Sequence, residues 1–257
     1  MKEDGKRTGT QTIERVALLL RELAVRGSTG WAGRNLAQHC GLQPSTAHRI
    51  LQGLVREGFV QQRASDARYF IGPFNFELGL TVPGRLELLE AAPAVLRRLA
   101  RALPNVTTVL FLRSGNECVC TGRGGAYARA ATLTRVGQRV PALALASGIA
   151  IVAHLPEAEA RAAWDYARKK GAHLGDAHFA QLREMLKSAR RDGYVVSEGV
   201  LWQTVNSIAV PFGPSNSPIG AVAISSRSAD TSPAALLGAL PELRFAAEKL
   251  AAHAAWE

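Results

Sequence analysis

The sequence predicts an α+β chain in two parts, three helices with a basic hairpin first and a mixed sheet with flanking helices after. Three observations carry the prediction. The segment LAQHCGLQPSTAHRILQGLVREGFV, Leu36 to Val60, holds two helical stretches joined at Gly41. Pro83-Gly84 interrupts the helical pattern and marks the best domain boundary. Beyond Pro104 the apolar pattern changes from helical spacing to alternation, as strands require.

Residues 1–11 are a polar arm, expected to be mobile. A first helix is expected from Thr12, with Ile13, Val16, Ala17, Leu20, Leu23 and Ala24 as its apolar face and Gly27 just past its end. Residues 27–33 read as a loop and Arg34 to Cys40 as a short second helix. A third helix opens at Pro44, a residue suited to the first helical position, and closes before Gly58. FVQQR and RYFIG then read as two strands around Ala64-Ser65-Asp66-Ala67, with Arg63 and Arg68 flanking the tip. Residues 12–80 thus form a winged helix-turn-helix. Residues 81–103 are expected to form a linker helix, with Leu89, Ala92, Val95, Leu96, Leu99 and Leu103 at helical spacing and Pro93 near its start.

Residues 104–257 form the second domain. VTTVLFLR and ECVCTGR read as a hairpin around Ser114-Gly115-Asn116, and Pro141 to His154 as a buried helix. Charged helices follow near 157–170 and 176–192. SIAVPFG and IGAVAIS form a second hairpin, and one amphipathic helix from about Pro233 to His253 closes the chain.

Composition bounds the function. The 257 residues are 47% hydrophobic and 20% charged, so a sizeable core is available. No apolar run reaches the roughly 18 residues needed to span a bilayer, and the charged N-terminus is unlike a signal peptide. Cys40, Cys118 and Cys120 are an odd number and too few for a disulfide framework, so a cytoplasmic protein is expected. The net charge of +10 suits a polyanionic partner. It does not locate one, because residues 1–80 carry 11 Lys/Arg against 7 Asp/Glu and the remainder 20 against 14.

The third helix is more specific. Ala47, Ile50, Leu51 and Leu54 lie on one face at i, i+3, i+4, i+7, while Ser45, His48, Arg49 and Gln52 repeat the spacing on another. A helix with one apolar face and one face of hydroxyl, imidazole, guanidinium and amide groups suits a DNA major groove.

The order of these features resembles the isocitrate lyase regulator (IclR) family of bacterial transcription factors. The resemblance rests on LAQHCGLQPSTAHRILQGLVREGFV and RYFIGPFNFELG, then on VGQRVPALALASGIAIVAHL, DGYVVSEG, SIAVPF and GAVAIS, and it covers nearly the whole chain. It implies a C-terminal effector-binding domain similar to the GAF fold. It also implies a homodimer, or dimer of dimers, on double-stranded DNA at a palindromic operator, acting as repressor or activator. The DNA-contact positions carry over onto Ser45, Thr46, His48 and Arg49, with Gln52 added from the helix face and Arg34 from the preceding helix. Arg63, Arg68 and Tyr69 of the wing are placed to meet phosphate or minor groove.

The departures concern the effector. Where the family commonly shows histidine, threonine and lysine after the proline, this chain has Leu143, Leu145 and Ile149. The cysteine before the Ile-Ala-Pro strand is Ser207, and the glycine three residues earlier is Thr204. Of two serines on the last strand, one is Ala223 and the other remains as Ser225. With Phe111 and Trp202 as further walls, the expected small-molecule effector is apolar or aromatic.

Other chemistries have little support. Cys118-x-Cys120 lacks a second pair and reads as structural; His173, Asp176 and His178 sit in a helix–helix loop without a further ligand. TGRGGAYAR, Thr121 to Arg129, is no dinucleotide loop. No catalytic motif, metal or cofactor is expected. The two rival classes are a DNA-binding or interaction module with a vestigial sensor, and a small-molecule enzyme.

Overall fold

The computed structural model describes residues 10–125, 134–171, 175–201 and 203–254. Residues 1–9 of the expected arm, Ala126 to Arg129 of the glycine-rich stretch, His173 and Trp202 lie outside them. The chain divides into two compact units, Met1–Val82 and Pro83–Glu257.

The first unit runs α1 (Gln11–Arg26), a 3-10 turn (Gly27–Thr29), β1 (Trp31–Ala32), α2 (Gly33–His39), α3 (Pro44–Arg56), β2 (Val60–Gln62), β3 (Arg68–Ile71) and α4 (Phe74–Leu80). Its core is Leu19 and Leu23 of α1, Leu36 of α2, Leu51 and Leu54 of α3, and Val60 and Tyr69 of the hairpin. Two expectations are corrected. Ile13 is 67% exposed, and the seam of α1 instead runs through Val16, Leu19, Leu20 and Leu23. Residues 31–32, read as loop, pair with β3 in a three-stranded antiparallel sheet of order β1-β3-β2. Trp31 helps to seat that strand, since its indole Nε1 donates to the Glu22 carbonyl at 3.1 Å and Arg26 stacks 4.0 Å from its ring centroid. At the far end, Asn75 Nδ2 donates to the carbonyls of Phe59 and Gly72 at 2.7 and 2.9 Å, tying the start of α4 to the hairpin.

The second unit is one six-stranded sheet of order β6-β5-β4-β9-β8-β7, made of β4 (Thr107–Ser114), β5 (Glu117–Gly124), β6 (Arg139–Pro141), β7 (Val195–Glu198), β8 (Val205–Phe212) and β9 (Gly220–Arg227). Every described ladder is antiparallel, where a mixed sheet was expected. Short connections explain this for β4–β5, β7–β8 and β8–β9, because antiparallel neighbours need no crossover; the central pair β4–β9 is instead brought together from distant parts of the chain. Gly115, at φ +63°, opens the two-residue turn between Ser114 and Glu117.

Alternation sends side chains to two cores. Leu110, Leu112, Ile208, Val210, Val222 and Ile224 face α5 (Arg85–Leu99), α9 (Pro233–Gly238) and α10 (Leu240–His253). Val109, Phe111, Ala209, Ala221 and Ala223 face α6 (Ala146–Val152), α7 (Glu157–Lys170) and α8 (Asp176–Asp192). The expected linker helix α5 is therefore part of this unit, burying Leu88, Ala92, Leu96 and Leu99; Leu89, expected inside, is 41% exposed. The stretch Pro141 to His154 is a 3-10 turn (Ala142–Ala144) followed by the wholly buried α6 rather than one helix. Gly148 permits this fold-back, since a Cβ there would run into the Ala142 carbonyl oxygen. The C-terminal helix is likewise two, broken at Ala239 with Pro241 in the first turn of α10, where its missing N–H costs nothing.

Candidate nucleic-acid interface and ligand pocket

The first candidate site is the outer face of α3. Gln43 precedes the helix without a side-chain cap and Pro44 fills its first turn, so the leading N–H groups stay open to an anion. Ala47, Leu51 and Leu54 are buried, which turns Ser45, His48 and Arg49 outward. All three are exposed, and none has a side-chain hydrogen bond or ion pair among the described residues. Thr46 is half-buried beside them. Arg34, exposed in the first turn of α2, shares a notch of about 240 Å³ with Gly33, Pro44, His48 and Leu51. The structure thus joins an arginine from α2 to the α3 face.

Two expected contacts move away from it. Tyr69 is only 3% exposed, packed in the core against Gly33, and its hydroxyl accepts from Gln52 Nε2 at 3.2 Å. Alternation along β3 explains the correction: Arg68 points out, so Tyr69 points in. Gln52 is half-buried and its amide is committed to that bond.

The wing arginines are exposed but tied. Arg63 grips Asp66 with both Nε and Nη2, at 2.9 and 2.6 Å, and lies 4.6 Å from the Phe70 ring centroid. Arg68 Nε stands 3.5 Å from the same carboxylate, and its Nη1 donates to the Thr29 carbonyl at 3.0 Å. The hydrogen bond from Arg63 holds the Asp66 carboxyl down to about 2, with the Arg68 N–H and both guanidinium charges assisting. Asp66 therefore engages both cations within the chain.

The second candidate site lies on the α6 face of the sheet. Phe111, Leu143, Leu145, Ile149 and Ala223 meet in one buried cluster, so the expected apolar walls come together. Ser207 and Ser225 stand directly opposite each other on β8 and β9. The register extends this pair to a row of four hydroxyls across the sheet, because Ser197 faces Ser207 and Thr107 faces Ser225. Ser197 Oγ is buried with no hydrogen-bond partner among the described residues. Sequence reasoning missed Ser197 and Thr107. Alternation assigns each to a strand face, but only the register reveals the row.

Leu143 also borders a cavity of about 300 Å³, lined as well by Lys170, His178, Phe179, Leu182 and Leu201. His178 meets Phe179 edge-on at 5.7 Å. Cys118 and Cys120 lie buried in the same core as Phe111, and burial pushes their thiols up to about 12 and about 11. Both stay protonated and serve as packing groups.

Comparison with known proteins follows the same division. The family model for the bacterial transcriptional regulator IclR C-terminal matches residues 81–252, and that for the IclR helix-turn-helix domain residues 12–64. The transcriptional regulator XynR of Escherichia coli is 29% identical over 204 residues, 78% of this chain and 79% of that protein. The glycerol operon regulatory protein of Streptomyces coelicolor is 30% identical over 226 residues, 83% of this chain and 84% of that one. Among solved structures, an IclR regulator from Alicyclobacillus acidocaldarius superposes with a TM-score of 0.74 at 23% identity, over 95% of this chain and 98% of that one. An IclR homolog from Microbacterium hydrocarbonoxydans, complexed with 4-hydroxybenzoate, gives 0.72 at 22% identity over the same shares.

Asp66→Asn should release both wing arginines to phosphate. Fluorescence anisotropy on a random-sequence duplex across a KCl series should show tighter binding and a salt slope steeper by about one to two, at about 0.9 per added phosphate contact. An unchanged slope would mean that the clamp does not restrain the wing.

Proposed function

The chain belongs to the IclR family of bacterial transcriptional regulators, and from that membership we propose how its two units divide the work. It is a DNA-binding transcription regulator. Its α3 enters the major groove, where His48 and Arg49 read base edges and Ser45, Thr46 and Arg34 hold phosphate. The observation that carries this reading is the outer edge of α3. Ser45, His48 and Arg49 are left unengaged there, while the nearby Arg63 and Arg68 are tied within the chain. Arg63 and Arg68 meet the backbone beside the groove once Asp66 yields them. Tyr69 is a core residue and Gln52 steadies it, so neither belongs to the reading set.

The protein acts as a homodimer, alone or paired into a dimer of dimers, on a palindromic operator. Support comes from α4 and the residue pair after it, where Phe76 is 69% exposed and Leu78, Leu80 and Val82 are each more than 40% exposed. A second copy would cover apolar surface of this kind. The setting is the cytoplasm, in keeping with three free cysteines. Its role is regulatory, without catalysis.

The second unit takes an aromatic or otherwise apolar effector. Its body lies against Phe111, Leu143, Leu145, Ile149 and Ala223, and its polar end meets Ser197, Ser207 and Ser225. A buried hydroxyl without a partner, as at Ser197, is the group a ligand would satisfy. Switching requires only that the effector and the operator prefer the same or opposite dimer geometries, with coupling of about 1–3 kcal/mol.

Arg49→Ala should cost about 1–3 kcal/mol of operator affinity and relax preference at one base pair, read by gel shift on single-base operator variants. Wild-type affinity in that variant would remove Arg49 from the reading set. For the effector, benzoate or 4-hydroxybenzoate should raise the melting temperature, by about 2.7 kcal/mol of added stability at 100 times Kd. Ser207→Val should abolish the shift. A shift with glyoxylate and none with the aromatic acids would refute an apolar pocket.

A further inference from the structure

The back of the sheet, away from the hydroxyl row, carries a second concavity. Between α5 and α10 lies a groove of about 410 Å³, within the roughly 300–1,000 Å³ of small-molecule sites. Val95 and Leu99 of α5 and Ala246 and Phe245 of α10 give it an apolar floor, and Phe245 remains 39% exposed. Three cations line it, Arg98, Arg101 and Lys249, against one carboxylate, Glu242. The Arg98 guanidinium carbon lies 4.5 Å from the Phe245 ring centroid and Lys249 Nζ lies 5.4 Å from it. None of the three cations stands in an ion pair among the described residues.

We infer that this groove binds a small organic anion with a flat apolar body, an aryl carboxylate or sulfonate, at a site separate from the effector pocket. An arginine stacked on a ring keeps its edge N–H groups for an acid headgroup, and Lys249 adds a point charge beside it. The hydrophobic floor then takes the body of the ligand, and the Phe245 ring offers it a stacking surface. Charge also argues against a second copy of this chain in the groove. A two-fold contact sets the same patch against itself, and with three cations to one carboxylate on each side the seam would hold a net excess of positive charge. Because α10 packs on β8 and β9 from behind, an occupant here bears on the strands that carry Ser207 and Ser225 without entering their pocket.

The test is calorimetric titration of the full-length protein with naphthalene-2-sulfonate and, separately, with neutral 2-naphthol. Wild type should bind the sulfonate with measurable heat. The double variant Arg98→Gln/Lys249→Gln and the variant Phe245→Ala should each bind it at least tenfold more weakly, with DNA affinity and melting temperature reporting that they fold. The naphthol titration should be insensitive to the charge variant. Ser207→Val/Ser225→Val, which alters the other face, should keep the sulfonate isotherm. No heat in wild type, or an isotherm unchanged in the groove variants, overturns the assignment. So does an isotherm lost only in the serine variant, which would place the sulfonate in the effector pocket instead.

Discussion

The interaction on which the DNA-binding unit depends is the seam where Leu51 and Leu54 of α3 join Leu19, Leu23 and Leu36 of the two preceding helices in one core, with Ala47 also buried. Each buried leucine contributes about 1.5–3 kcal/mol relative to exposure, so the seam outweighs any single polar contact on the surface. It also sets the rotation of α3. Successive helical residues are about 100° apart, so a slip of one position would carry His48 toward the core and bring a leucine out. Hydrophobic burial thus chooses which side chains of α3 face outward. The wing is governed differently. There an exposed carboxylate, Asp66, organises two exposed arginines, and electrostatics rather than burial decides what is available to phosphate.

The sensor unit obeys the same logic with period two. Each strand of the antiparallel sheet sends alternate residues to two separate cores, and both faces are covered by helices. On one face four adjacent strands place a hydroxyl at the same level. Within an otherwise apolar face such a row is a liability unless something bonds to it, and Ser197 lacks a partner among the described residues. The ligand reading follows from that deficit, as the DNA reading follows from the unengaged edge of α3.

Much of this was legible in the sequence because it is local. The face of α3, the position of Pro44, the wing hairpin and the alternating strands depend on neighbours a few residues away. What was not legible depends on distant partners. Trp31–Ala32 is too short to announce itself as a strand and exists because β3 offers it an edge. Ile13 and Leu89 fit a helical stripe as well as Leu19 and Leu88 do, and only the packing partner decides between them. Tyr69 joined the wing arginines in the expected interface although alternation alone puts it on the opposite face from Arg68. The break at Ala239 was masked by apolar residues that keep helical spacing on both sides. Among the pocket residues, the walls could be named one at a time, but the hydroxyl row needed the register.

Family membership and geometry therefore meet at one claim, that the outward edge of α3 reads the major groove. Methylation interference tests it most directly, on an operator selected from random duplexes by the full-length protein. Dimethyl sulfate places a methyl on guanine N7 in the major groove and on adenine N3 in the minor groove. N7 methylation at guanines in two half-sites, about 10 base pairs or a multiple of that apart, should block binding. Binding that tolerates every N7 methyl and is blocked only by adenine N3 methylation would contradict it.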